Sequence, residues 1–215
     1  MPTLIFENRS NIASNVCVYQ NPPKTSPTET ITLAWFCQPF PQKLEGGTSQ
    51  VVFQWTEDYD FVWSQRGKLA SGITFTASQV IPANRPTANQ VTLIKHSNGA
   101  YSFAAQEQGS EPNILFINQD KTITPTEVLV GIGMAGSATA LVQALPNVVT
   151  TFKVHENPKY RIFWGAYKAG QALNLNEITN EEEIEFKYNI SSLTVILQED
   201  NTWCVEQTKQ AECKE

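Results

Sequence analysis

Histidine is almost missing from this sequence: among 215 residues there are only His96 and His155. Catalysis that sets an imidazole base beside an activated nucleophile has little to draw on. His96 precedes the turn residues Asn98-Gly99, His155 closes an apolar run before Glu156-Asn157-Pro158, and no Gly-x-Ser-x-Gly elbow accompanies either. Both read as loop residues. Cysteine is scarce too. Cys17, Cys37, Cys204 and Cys213 lack the paired spacings of a zinc site. Without a secretory leader they are expected to be reduced, with Cys17 a small buried side chain and a Cys204–Cys213 bridge reserved for an oxidising setting. The acidic groups Glu57-Asp58-Asp60 and Asn180-Glu181-Glu182-Glu183 lack the central glycine of an EF-hand and read as solvated loops. No metal, cofactor or catalytic residue is expected. Whether two carboxylates stand at a glycosidase's separation is left open, because sequence does not give distances in space.

Long apolar runs are also lacking. Nowhere do about 18 apolar residues follow one another, so no transmembrane segment is expected. The start, Met1-Pro2-Thr3-Leu4-Ile5-Phe6-Glu7, has neither a basic n-region nor a long apolar stretch. A cytoplasmic location is the default reading, with export by a route that leaves no N-terminal mark still open. Positive charge is in deficit: 15 bases against 21 acids leave a net charge of −6. Bases such as Lys43, Arg66, Lys68 and Lys95 are dispersed among acids, which argues against nucleic acid and against electrostatic docking to anionic lipid. With 41% hydrophobic and 17% charged residues, the chain has the balance of a folded protein rather than a disordered one.

What is present is a series of short alternating or β-branched runs punctuated by turn residues. Thr3–Phe6, Ser14–Gln20, Thr30–Phe36, Val51–Trp55, Asp60–Trp63 and Ile73–Val80 come first. Ile114–Asn118, Val128–Met134, Ala138–Ala144, Val148–Val154, Arg161–Ala166 and Ile184–Tyr188 follow. The proline-rich stretch 21–27 reads as a connection that extends neither neighbouring strand, and Gln38-Pro39-Phe40-Pro41 as a strand end. Residues 91–103 form a hairpin, with Asn98-Gly99 expected to supply the two positive φ angles of a type I′ turn. A second hairpin closes the chain around Gln198-Glu199-Asp200-Asn201. Only two windows could be helical at all: Ser137–Leu145, where the strand reading is preferred, and one or two turns in Asn174–Glu185. No repeat or linker divides the chain. The expected architecture is all-β, a single two-layer antiparallel β-sandwich over residues 1–215 with about fourteen short strands and little helix.

One motif competes with that reading. Gly131, Gly133 and Gly136 match Gly-x-Gly-x-x-Gly after an apolar strand, and Glu156 stands twenty residues beyond the third glycine. In a dinucleotide fold the glycines would let backbone approach a pyrophosphate and the acid would hold a ribose. The surroundings disagree: no βαβ series is visible, and Pro146 would stop the following helix after two turns. Period two instead places Val130, Ile132 and Met134 on one face and the glycines on the other, where another layer can approach closely. Ala135-Gly136-Ser137 then becomes a hairpin turn.

Alternation also sorts the tryptophans. Trp35, Trp55 and Trp63 share faces with apolar neighbours and read as core. Trp164, Tyr167 and Trp203 are the candidates for ligand binding, since partly exposed rings can stack on sugar faces.

Several segments taken together carry a resemblance. Asn15-Val16-Cys17-Val18-Tyr19-Gln20, Leu33-Ala34-Trp35-Phe36, Phe61-Val62-Trp63-Ser64, Asn98-Gly99-Ala100-Tyr101-Ser102-Phe103, Val130-Gly131-Ile132-Gly133-Met134 and Asp200-Asn201-Thr202-Trp203 resemble the rhizosphere-expressed protein family of rhizobia along nearly the whole chain. The resemblance implies an abundant, cytoplasmically made bacterial protein of a host-associated life, and transfers no catalytic residue. The reading is a non-enzymatic protein that recognises a glycan or protein partner through a surface, or assembles with copies of itself. The alternatives are a dinucleotide-binding enzyme built on Gly131, Gly133, Gly136 and Glu156, and recognition of a lipid surface.

Overall fold

A computed structural model describes residues 1–27, 30–43, 48–65, 68–187 and 189–207. Arg66, Tyr188 and Cys213, and with the last its pairing to Cys204, lie outside the described residues. The chain passes in order through β1 (Thr3–Asn8), β2 (Ser14–Gln20), β3 (Lys24–Ser26), β4 (Ile31–Thr32), β5 (Phe36–Phe40) and β6 (Ser49–Gln54). Next come β7 (Tyr59–Ser64), β8 (Gln79–Pro82), β9 (Gln90–Lys95), β10 (Tyr101–Phe103), β11 (Ile114–Gln119) and β12 (Leu129–Met134). Then follow β13 (Ser137–Gln143), β14 (Val148–Lys153), β15 (Lys159–Gly165), a 3-10 turn at Leu175–Glu177, β16 (Glu182–Glu185), β17 (Ser192–Leu197) and β18 (Trp203–Gln207).

The fold is all-β and sandwich-like. The strands form four sheets, ordered β18-β17-β1-β6, β10-β9-β11-β14-β3, β4-β13-β12-β7-β8 and β16-β15-β2-β5. Pairing is antiparallel except for β1 with β17 and β9 with β11. The inner faces share one core that includes residues from Leu4 to Leu197. At its centre Trp35, Trp55 and Tyr160 pack ring against ring, with Trp55 Nε1 donating to Tyr160 Oη at 3.1 Å and Trp35 Nε1 to the Met134 carbonyl at 3.1 Å. Burying such side chains contributes about 2 kcal/mol each. The outer faces of two sheets are covered as well. One carries Val62, Phe75, Leu129 and Leu141, the other Cys17, Tyr19, Ala34 and Phe163. Coverage on both sides explains why all six positions of β12 are buried.

The glycines of β12 serve this sheet. A Cβ on Gly131 would lie 1.9 Å from the Ala140 carbonyl oxygen, and one on Gly133 would lie 2.2 Å from that of Ser137. The register of β12 with β13 shifts between Ile132 and Gly133, a bulge that brings the partner backbone over both positions. Ala135 (φ 48°) and Gly136 (φ 77°) form a two-residue type I′ turn from β12 directly into β13. Residues 137–143 are therefore strand, not helix.

Some expectations are corrected. At Asn98-Gly99 only the glycine has positive φ, at 85°, and His96 N donates to the Ala100 carbonyl at 2.8 Å, so the loop is of the longer bulged type. The segment 21–27 does contribute a strand: β3 pairs with β14 at a sheet edge, between prolines that stay off the paired positions. Thr30–Phe36 is split, because the chain leaves β4 at Thr32, crosses between sheets, and enters β5 at Phe36. Pro39 sits within β5, where an edge strand tolerates its missing N–H. Of Ile73–Val80, only the bridge at Thr74 and the start of β8 are paired. In Asn174–Glu185 helix is limited to Leu175–Glu177; Glu183 is a strand residue opposite Arg161, bonded to it and to Lys159. Cys17 and Cys37 are not free thiols. They are direct cross-strand partners on β2 and β5 and form a disulfide, with Cys17 fully buried as its place in an apolar run implied.

Candidate functional site

Two clefts open beside the first two residues of β7, and strand alternation assigns one residue to each. Tyr59 points with Phe61 and Trp63 toward the main core, whereas Asp60 points with Val62 to the opposite face.

The Asp60 cleft has a volume of about 620 Å³ and is lined by Thr56, Asp58, Asp60, Asn84, Gln106 and the Ala135–Gly136 turn, among others. Asp60 stands opposite Gly133 of β12 and Pro82 of β8. Only 8% of it is exposed. Its Oδ2 accepts the Gly136 N–H at 2.9 Å, a donor that the I′ turn delivers. Burial holds the Asp60 carboxyl above the ordinary carboxylate range and the charge of Asp58 adds to this, while the Gly136 hydrogen bond opposes it. Oδ1 accepts no hydrogen bond from a described residue, and Asp58, Asn84 and Thr56 make none with their side chains. Gln106 is fixed by donating Nε2 to the Pro82 carbonyl at 2.6 Å, which leaves its Oε1 as an acceptor. The cleft therefore presents carboxylate, amide and hydroxyl groups with spare hydrogen-bonding capacity around a half-satisfied buried acid.

The second cleft, about 340 Å³, lies between the segment that follows β2 and the one that joins β14 to β15. Tyr59 and Gln20 form its floor; both are buried, and Gln20 Nε2 donates to Tyr59 Oη at 2.8 Å. The Tyr59 hydroxyl reaches the His155 carbonyl only at 3.4 Å, and burial pushes its pKa up to about 12. Lys24, Lys153, Lys159 and His155 line the rim. The edge pairing of β3 with β14 sets Lys24 directly opposite Lys153. Lys159 is neutralised by Glu183 at 2.7 Å, but neither Lys24 nor Lys153 has a carboxylate partner among the described residues. Lys24 and Lys153, 129 positions apart in the sequence (153 − 24), become neighbours through the sheet.

Of the three aromatic candidates, Trp164 and Trp203 meet at Asn180. Trp203 Nε1 donates to the Asn180 carbonyl at 2.7 Å, and the Asn180 side chain brackets the Trp164 backbone with bonds of 2.9 and 3.3 Å. Both rings pack on the main core, and Trp164 Nε1 is buried without a partner. Tyr167 lies on the other side of that sheet, its ring over Gly165 and 5.0 Å from Phe163. The structure thus joins two of these three and separates the third. Gly131 and Gly133 lie within a strand and Gly136 in a hairpin turn, so no helix N-terminus follows the motif. Glu156 is exposed in the β14–β15 connection, and the arrangement of a pyrophosphate loop does not form. Among the described residues no group of three or more His, Cys, Asp or Glu gathers to hold a metal.

Asp60 carried a signal that the sequence reading used only for calcium: an acid inside Tyr59-Asp60-Phe61-Val62-Trp63, a run in which every neighbour is buried. Lys24, Lys153, Gln20 and Tyr59 carried none, because their grouping depends on which strands pair.

Comparison with known proteins adds family. The family model for RhiA matches residues 2–208, which contain every residue of both clefts. Protein RhiA of Rhizobium leguminosarum bv. viciae is 33% identical over 202 residues, covering 94% of this chain and 84% of that protein. No solved structure matches.

Proposed function

We propose, from the premise that this chain belongs to the RhiA family, that it acts by recognition rather than catalysis and that the Asp60 cleft takes a carbohydrate. The observation that carries this reading is the buried Asp60, anchored through one oxygen and open through the other, beside the Asn84 amide and the Thr56 hydroxyl, neither of which makes a side-chain hydrogen bond to a described residue. Sugar hydroxyls are donors and acceptors at once. A fixed carboxylate oxygen beside side-chain amides accepts from one hydroxyl while an amide N–H donates to the next. The volume of about 620 Å³ falls in the range of small-ligand sites and has room for one or two sugar rings. Asp60 itself sits on a paired strand and is tied to a two-residue turn, so the buried acid is held before a ligand arrives, while Thr56, Asp58 and Asn84 line the cleft from exposed connecting segments.

A glycan array with the full chain tests this. The expected result is binding to a restricted set of neutral glycans, lost by at least tenfold in Asp60→Asn, because a charged acceptor bond contributes about 1.5–3 kcal/mol. Trp164→Ala and Trp203→Ala are expected to retain it. A blank array overturns the reading. Binding lost in the tryptophan variants and kept in Asp60→Asn moves the site to the Asn180 cluster, and release of new reducing ends from a bound glycan overturns the non-enzymatic part.

A further inference from the structure

We propose that the basic cleft is a second, separate site that binds a small oxyanion-bearing ligand, a carboxylate or phosphate on a molecule of about one sugar unit, between the Lys24 and Lys153 ammonium groups and the Tyr59 hydroxyl. Three observations converge on it. The first is charge that the fold gathers and leaves unneutralised. Like charges directly opposite on paired strands are unfavourable, yet Lys24 faces Lys153 across an edge pair and no carboxylate among the described residues is placed to relieve them. Three lysines are paired among the described residues, Lys95 with Glu127 at 2.6 Å, Lys159 with Glu183 at 2.7 Å and Lys43 with Glu199 at 3.1 Å; what sets Lys24 and Lys153 apart from the other unpaired lysines is that they face each other. An anion bound between Lys24 and Lys153 would supply the missing countercharge.

The second observation is the floor. Tyr59 is 3% exposed, and its hydroxyl accepts from Gln20 while its own proton reaches no closer acceptor than a carbonyl at 3.4 Å. Gln20 is itself fixed, since its Oε1 accepts from Thr139 Oγ1 at 3.1 Å. The hydroxyl stays protonated through the physiological range, so in the cleft that Lys24 and Lys153 also line it is a donor held only by a long bond to the His155 carbonyl. Arg85 adds a further cation nearby. Its charge acts on the Tyr59 hydroxyl, and its Nη1 is buried with no hydrogen-bond partner among the described residues.

The third is shape. The walls include Pro22, Pro23 and Pro158, whose fixed φ angles make a cleft bounded by connecting segments rigid. At about 340 Å³ the space suits one small molecule and not a polymer. The carboxylates nearest in sequence do not fill it: Glu156 is exposed and is not among the lining residues, and Glu183 is engaged by Lys159, Arg161 and Asn21.

The test is titration calorimetry of the full chain at low salt with glucose 6-phosphate, glucuronate and glucose, combined with amide and side-chain NMR to locate each ligand. At least one of the two anions is expected to bind and to shift resonances of Tyr59 and His155, and which binds more tightly tells phosphate from carboxylate as the preferred group. Its affinity should fall more than tenfold in the Lys24→Gln/Lys153→Gln double variant and several-fold in Tyr59→Phe. It should weaken steeply with added salt and stay unchanged in Asp60→Asn. The substituted lysines are exposed, so circular dichroism should match the parent chain. Failure of both anions to bind overturns the proposal. So does an affinity that the double variant retains, or glucose shifting Tyr59 and His155 as strongly as the anions do. Because Asp60→Asn and the lysine variant address different clefts, failure at one site leaves the outcome at the other readable.

Discussion

The clefts on either side of the Tyr59–Asp60 step are built by opposite means. The Asp60 cleft is made by close approach. A bulge, two glycines without room for a Cβ and a two-residue turn bring the Gly136 N–H onto a carboxylate that would otherwise be buried at full cost. The Tyr59 cleft is made by extension. A three-residue edge strand between prolines reaches across to β14 and brings its lysine with it. The first depends on backbone geometry deep in a sheet and the second on side chains at a rim, so they should respond differently to perturbation. Damage to the framework should cost stability, whereas charge changes should alter binding with little effect on folding.

The largest expected effect comes from the Cys17–Cys37 bond, which ties β2 to β5; β2 ends in Gln20 on the floor of the basic cleft. Replacing both cysteines by alanine should destabilise the chain by about 3 kcal/mol, as expected for a bond that closes a loop of this length. Urea unfolding with and without reductant measures this, and a midpoint indifferent to both would show that the bond does not hold the sheet. Next is Gly133→Ala, whose Cβ would lie 2.2 Å from the Ser137 oxygen. The backbone of β13 must move, at a cost of about 2 kcal/mol, roughly 4–8 °C in Tm for a chain of this size. Because Gly133 faces Asp60 across the strands, glycan binding should fall as well while anion binding persists. Equal loss at both sites would mean that the clefts are not independent.

Asp60→Asn separates stability from function within the first cleft. Burial raises the carboxyl in the folded chain above its ordinary value of 3.8. A group shifted upward stabilises the fold fully below its unfolded value, and this is lost as pH rises through the folded value. The ionised form of Asp60 therefore carries a burial cost that asparagine removes while retaining an acceptor for Gly136. The variant should melt higher than the parent at pH 7, with the gap closing as pH falls toward 4, and it should bind glycan less well. A variant that melts lower at pH 7 would mean that the ionised carboxylate, rather than its shape, holds the turn.

What the sequence made legible follows the same division. Short apolar runs bounded by turn residues located β2, β12 and β14 closely, β14 by alternation and β2 and β12 as near-continuous apolar runs that are buried on both faces. Period two placed Trp35, Trp55 and Trp63 in the interior, where they are 2%, 2% and 7% exposed. It also read the glycines of β12 as room for close approach. It could not show that Lys24 and Lys153 are neighbours, because cross-strand register is fixed by long-range pairing and not by either segment alone. The Cys17–Cys37 bond escaped for the same reason: twenty residues apart, the two cysteines become partners only when the chain turns back from β4 into β5. Trp164 and Trp203 were correctly read as less buried than the other three, but their shared contact, Asn180, stood out only as the head of an acidic run and nothing in it pointed to either ring.

The smallest effect sharpens the comparison most. Lys24→Glu would convert the like-charge pair on the β3–β14 edge into an opposite-charge pair with Lys153. A cross-strand pair of this kind contributes about 0.5 kcal/mol, so Tm should rise by roughly 1–2 °C. The substitution should at the same time abolish anion binding and leave glycan binding at Asp60 untouched. If two facing lysines were only a tolerated accident of the edge, relieving them would be neutral for every ligand and mildly favourable for the fold. If they form a site, a gain in stability will coincide with a loss of binding, the pattern expected where a fold holds charge in readiness for a partner. Differential scanning calorimetry paired with the glucose 6-phosphate and glucuronate titrations decides between these. An unchanged titration in a stabilised variant would remove Lys24 from the site.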